Sequence, residues 1–177
     1  MKTLFLVDVQ NDFLPGGALP APNGDQIIPV INRIMDQFDL VLASRDWHPE
    51  DSIHFDRWPP HCIRETRGAS YPDELDVGKI EKEFLKGTGN TDDGYSAFEA
   101  TSEDLHDFLR NKNITELYLA GLTTEYCVKA TALDALQNGY KTYVIASATA
   151  GVEAQPGDEQ KAYHEMKTAG VNIISSI

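Results

Sequence analysis

Cys127 is the residue of this 177-residue chain best placed to act as a nucleophile. It closes the run Gly121-Leu122-Thr123-Thr124-Glu125-Tyr126-Cys127, which follows the apolar stretch Leu117-Tyr118-Leu119-Ala120 and precedes a segment of helical spacing from Val128 to Leu136. The pattern predicts strand, glycine turn, helix. A cysteine in the first turn of such a helix has backbone N–H groups and the positive end of the helix dipole beside its sulfur, and both favour thiolate over thiol. The plain alternative is a small buried cysteine at a helix start, so partners elsewhere in the chain decide the matter.

Two candidate partners stand at the ends of apolar runs. Asp8 ends Leu4-Phe5-Leu6-Val7, either as the polar stop of a strand or as a general base that takes the thiol proton and later protonates a leaving amine. Lys86 ends Glu83-Phe84-Leu85, where a positive charge would hold a thiolate and keep Asp8 ionised. A second group is Asp46-Trp47-His48, then His54, then Pro60-His61. An Asp and a His two apart on an extended segment point the same way, and further imidazoles from a loop can complete a shell of nitrogen and oxygen ligands. Three of the five histidines fall between 48 and 61, which favours a divalent metal over histidines that merely hydrogen-bond. Zinc, iron and manganese all suit such donors. Phe13 and Trp58 could clamp a flat ring by stacking, or simply pin their own loops. Gly87-Thr88-Gly89 lacks the third glycine of a dinucleotide fingerprint, and no phosphate-binding Gly-Lys-Ser/Thr loop occurs. His106 and His164 lie on predicted helices as surface residues.

The elements that must position these groups alternate. Buried strands are expected at Leu4–Val7, Leu40–Ala43, Glu83–Lys86, Leu117–Ala120, Tyr140–Ala146 and Val171–Ile174. A helix capped by Asp25 carries Ile27, Ile31, Ile34 and Phe38 on one face; a second opens at a Thr101/Asp104 capping box; a third follows Cys127 and ends at Asn138-Gly139; a fourth runs from Gly157 to Thr168. Strands alternating with helices predict a three-layer α/β/α sandwich, Rossmann-like, with a six-stranded parallel sheet in the order 3-2-1-4-5-6. Ligands bind at the carboxyl ends of such a sheet where the order reverses, between strands 1 and 4, which is where Asp8 and Cys127 fall. The segment 46–82 has no periodicity but holds both tryptophans, several prolines and three histidines; it reads as a site-building loop rather than disorder.

Composition bounds the rest. One domain over 1–177 suffices, with 41% hydrophobic and 24% charged residues. Fifteen basic against twenty-eight acidic residues give a net charge of −13, which argues against nucleic-acid partners. The first apolar run stops at Asp8, too soon for an export signal, and no membrane span is expected. Cys62 and Cys127 are the only cysteines, and with no repeated spacing they read as free thiols in the cytoplasm.

Taken in order, Asp8-Val9-Gln10-Asn11-Asp12-Phe13, Ser44-Arg45-Asp46-Trp47-His48-Pro49, Trp58-Pro59-Pro60-His61-Cys62, Lys86-Gly87, Tyr95-Ser96-Ala97-Phe98 and Gly121 to Val128 resemble the isochorismatase-like cysteine hydrolases, in particular their nicotinamide- and pyrazinamide-hydrolysing members. The resemblance implies a catalytic triad of Asp8, Lys86 and Cys127. It implies one divalent metal per chain, zinc first, on Asp46, His48 and His61 with His54 as a fourth group. It further implies a cis peptide at Leu122–Thr123 that aims the N–H groups of Thr123 and Cys127 at a carbonyl oxygen, and a pyridine pocket lined by Phe13, Trp58, Tyr95 and Leu122. The expected activity is conversion of nicotinamide to nicotinate and ammonia in NAD salvage; the partner is a small aromatic amide, and association into a homo-oligomer is left open. Arg64-Glu65-Thr66 stands where the family commonly has Gln-Gly-Thr, and Thr123 where alanine is frequent. The rival readings are another hydrolase of the same fold, acting on an enol ether, carbamoyl or ureido compound, and a non-catalytic metal-binding module.

Overall fold

The computed structural model describes residues 1–177. Its centre is β1 (Thr3–Val7), every residue of which is buried. β1 lies between β2 (Leu40–Asp46) and β4 (Glu116–Leu122), and β3 (Lys82–Lys86), β5 (Lys141–Ala150) and β6 (Asn172–Ile174) complete an all-parallel sheet in the order β3-β2-β1-β4-β5-β6. Because helices or loops cover both faces, the strands are apolar on both sides and show no alternation. Leu4 and Leu6 face α1 (Ile27–Met35) and the 46–82 loop, in a core shared with Val41, Ala43 and Leu122. Phe5 and Val7 face α2 (Leu105–Asn111), α3 (Lys129–Gln137) and α4 (Asp158–Ala169) through Leu105, Ala132 and Met166. No helix is long and apolar enough to cross a membrane.

Several local expectations are corrected. Asp25 does not cap α1; it sits in a tight turn, Gly24–Gln26, that leads into the helix, and Phe38 lies beyond the helix end against Tyr118. The capping residue of α2 is Asp104, whose Oδ1 accepts the Asp107 N–H at 2.8 Å. A full capping box does exist, but at Ser96 and Glu99 on the short turn Ala97–Glu99. β5 runs on to Ala150 because its pairing with β4 shifts between Leu119 and Gly121. Gly121 (φ +120°) lies so close to the Val7 backbone that a Cβ there would collide with it, and this packs the end of β4 against the end of β1.

The 46–82 loop is ordered by polar ties to the segment after β1. The Gln10 amide donates to Asp46 O and Ala69 O at 2.8 and 2.9 Å and accepts the Asp46 N–H at 2.8 Å. Asn11 donates to Arg67 O, and Asp12 Oδ2 accepts the Cys62 N–H at 2.7 Å. Arg45 lies over the rings of Trp47 and Tyr71. Side chains of residues 10 to 12 thereby replace the regular secondary structure that the loop lacks.

Candidate active site

Parallel pairing sets the triad's positions. β2 and β3 end in Asp46 and Lys86, Asp8 directly follows β1, and Asp46 is the direct register partner of Lys86. Asp8 is held beside Ser44, its N–H reaching Ser44 O at 3.2 Å and its Oδ1 accepting the Ser44 hydroxyl at 2.8 Å. After β4 comes a cis Leu122–Thr123 peptide, then a widened π-type turn, Thr124–Val128, that carries Cys127. Cys127 is therefore in the first turn of the helix, as expected, but that turn is widened to a π turn that runs directly into α3.

Lys86 is fully buried and joins the group. Its Nζ contacts Asp46 Oδ1 directly, lies 2.7 Å from Asp8 Oδ2, donates to Gly94 O at 2.6 Å and stands 3.5 Å from Cys127 Sγ. The Asp8 contact lies off the hydrogen-bonding direction, which leaves an Asp8 lone pair available. Asp8, Asp46 and the Cys127 sulfur all come within 4.8 Å of one another.

Charge settles unevenly among them. Burial pushes Asp8 up to about 6 against the pull of Lys86. Burial also opposes ionisation of Asp46, yet the Lys86 ammonium holds its carboxyl well below the usual range. Desolvation would neutralise Lys86, but Asp46 and Asp8 keep it protonated far above the ordinary lysine value. The Cys127 thiol is pushed well up by burial, with Lys86 offsetting only part. The expectation of a resting thiolate is corrected: burial beside two carboxylates outweighs the turn's N–H groups and the ammonium. At neutral pH the resting site holds a thiol next to an ionised Asp8.

The second cluster adjoins the first through Asp46. Ring nitrogens of His48, His54 and His61, all buried, lie within 4.8 Å of one another, and Asp46 Oδ2 is 3.4 Å from His48 Nε2 and 3.8 Å from His61 Nε2. Each Nδ1 already faces an oxygen: Gly87 O for His48 (3.0 Å), Asp92 Oδ1 for His54 (2.9 Å) and Pro59 O for His61 (2.7 Å). Carbonyl and carboxylate oxygens only accept, so the protons sit on Nδ1 and the Nε2 lone pairs stay free. His48 Nε2 is buried with no partner in the protein. Burial lowers the pKa of both His54 and His61, which keeps them neutral. An unprotonated, converging Nε2 set with second-nitrogen partners and a carboxylate is the donor chemistry of a divalent metal site, and the residues fit one.

One narrow cavity is lined by Asp46, the three imidazoles, Thr123 and Cys127 together with Phe13, Trp58 and Tyr95. Trp58 Nε1 donates to the Tyr95 hydroxyl at 3.0 Å, and the Trp58 ring meets Tyr126 edge to face at 4.9 Å. The Thr123 N–H has no acceptor within the protein. Leu122 does not line the cavity; its side chain is buried in the α1-side core. Arg64 and Glu65, the departures from the family pattern, are exposed and line no part of it, whereas Thr123 does. His164 is exposed on α4, and half-buried His106 bonds the Tyr140 hydroxyl at 2.9 Å, remote from the cluster. Sequence reading missed Gln10, Ser44 and Asp92 as supports, and Leu19, Tyr126 and Val152 as walls. Gln10, Ser44 and Tyr126 had a signal, their places in the blocks that carry the family resemblance.

A buried thiol on an apolar-walled cavity at the carboxyl edge of a parallel sheet, backed by a buried acid and ammonium, is equipment for hydrolysis, and the class of protein is a hydrolase. The chain matches the isochorismatase domain over residues 2–177 and belongs to the isochorismatase family. It is 39% identical to the nicotinamidase of Escherichia coli (strain K12), over 98% of this chain and 94% of that protein. Among solved structures, it superposes on the zinc complex of Pyrococcus horikoshii pyrazinamidase with a TM-score of 0.88 at 42% identity, covering 98% of each chain. The yeast nicotinamidase bound to the inhibitor nicotinaldehyde gives a TM-score of 0.90 at 30% identity, over 98% and 99% of the two chains.

Proposed function

We propose that this chain is a nicotinamidase that hydrolyses nicotinamide to nicotinate and ammonia for pyridine-nucleotide salvage. The observation that carries the reading is the single cavity shared by Cys127, the imidazole cluster and three aromatic side chains. Its aromatic lining suits a flat ring with its carboxamide toward sulfur, and the likeness to nicotinamidases and pyrazinamidases supports that choice.

Asp8 takes the Cys127 proton as sulfur attacks the carboxamide carbon, so the thiolate exists only as it reacts. The C=O electron pair moves to oxygen, where the N–H groups of Thr123 and Cys127 receive it; such a donor is typically worth about 3 kcal/mol. As the C–N bond breaks, Asp8 returns the proton to nitrogen and ammonia leaves. A water then gives one proton to Asp8 and attacks the thioester; the C–S bond breaks, Asp8 reprotonates sulfur, and the acid product departs and loses its remaining proton to solvent as nicotinate. Lys86 stays protonated throughout, holding Asp8 and the reacting sulfur together. Asp46, His48, His54 and His61 would hold a divalent ion, zinc by analogy with the Pyrococcus protein, and that ion would supply an electrophilic anchor for the pyridine nitrogen. Phe13, Trp58 and Tyr95 hold the ring.

Ammonia release from nicotinamide, pyrazinamide, a carbamoyl compound and a ureido acid tests the reading on zinc-loaded protein. Turnover of nicotinamide that falls on chelation is expected. Turnover of only the carbamoyl or ureido compound would assign the chain to another activity of the family, and turnover of none would favour a binding module.

A further inference from the structure

Of the three imidazoles, two have their Nδ1 protons on main-chain carbonyls, Gly87 O and Pro59 O, which no substitution can remove. His54 differs, because its Nδ1 faces a side chain, Asp92 Oδ1, at 2.9 Å. The other oxygen of Asp92 is held by Arg57 Nη2 at 2.8 Å, and two residues earlier the Asn90 side chain accepts the Ile53 N–H at 2.7 Å. Both contacts fasten the segment 87–94 to the turn Ile53–Asp56 that carries His54. The same segment begins at the carbonyl that receives His48 and ends at Gly94, whose carbonyl receives the Lys86 ammonium at 2.6 Å. Nothing in the Gly- and Asp-rich run from Gly87 to Gly94 suggested such a role.

We propose that Asp92 is a positioning residue for the metal cluster: it fixes the tautomer and ring orientation of His54 and so sets the affinity of the site for a divalent ion. The inference rests on the reading of Asp46, His48, His54 and His61 as metal ligands. A carboxylate facing Nδ1 keeps the proton there, leaves Nε2 as the donor and makes the imidazole a stronger base, and removal of such a partner typically weakens metal binding by about 10–100-fold. Because Asp92 is partly exposed, its loss leaves no buried charge behind, unlike the loss of Asp46 or Lys86.

The test is zinc affinity of chelator-stripped protein, measured by competition with a chromogenic chelator. Asp92→Ala should bind zinc about 10–100-fold more weakly than wild type, and Asp92→Asn, which keeps an acceptor without the charge, should fall between. In a His54→Ala background, Asp92→Ala should change affinity by less than about twofold, since the residue acts through that ring. Unchanged affinity in Asp92→Ala and Asp92→Asn, or equal weakening with and without His54, would overturn the proposal. A wild-type chain that holds no zinc would instead remove the metal reading itself, so the two failures are separable.

Discussion

Replacing Asp8 by Asn isolates the group on which the proposed chemistry turns. Asp8 is fully buried and its pKa rises from 3.8 to about 6, because desolvation outweighs the attraction of Lys86. The folded chain therefore holds this proton more tightly than the unfolded chain. Its contribution to stability is fully present below about pH 4 and is lost as pH rises through about 6, a difference of roughly 3 kcal/mol. Asn cannot ionise. Urea denaturation of metal-free wild type and Asp8→Asn between pH 4 and pH 7.5 gives the difference in unfolding free energy, in which the other titrating groups largely cancel. That difference should move by about 2.5 kcal/mol against the wild type as pH increases over that range. A flat difference, or one moving in favour of the wild type, would mean that Lys86 wins over burial and that Asp8 is an ordinary ion-paired carboxylate. In the loaded enzyme the same ionisation should appear as an acid limb of kcat/KM, and Asp8→Asn should lose about 100- to 10,000-fold in kcat.

Other side chains separate site from scaffold. Cys127→Ala should abolish ammonia release while zinc stoichiometry and melting temperature hold, and residual turnover near wild type would remove the covalent route. His48→Ala should lose zinc in equilibrium dialysis, because it deletes the unpartnered Nε2 of the cluster. Leu122→Ala should cost about 2–5 kcal/mol in denaturation with no change in KM beyond that of partial unfolding, since the side chain belongs to the core rather than the cavity. Asp104→Ala should cost about 1 kcal/mol through the lost cap of α2 and leave kinetics unchanged.

The sheet order was legible because its cues are local. β1 and the first half of β2 are short apolar runs, and the polar residue after β1 and those that close β2 and β3, Asp8, Asp46 and Lys86, are the residues that meet. Long-range polar ties have no such pattern. Asp92 and Ser44 gain their roles only when strands and loops come together, and neither lies on a periodic stretch. The Asp25 and Thr101 caps failed for a related reason: a capping residue and an acidic residue three positions later occur wherever loops are polar, and whether the backbone turns at Ser96 or Thr101 depends on tertiary packing. The thiolate expectation failed on electrostatics that only burial reveals, since the sequence shows a cysteine near a helix start but not two carboxylates within reach of its sulfur.

Mass analysis of acid-quenched protein during turnover of nicotinamide, followed by peptide mapping, tests the covalent step most directly. A nicotinoyl adduct on Cys127, absent from Cys127→Ala and depleted in Asp8→Asn, which lacks the base that takes the thiol proton, is the predicted result. Sustained ammonia release with an unmodified Cys127 at every quench time, or an adduct on Cys62 instead, would contradict it.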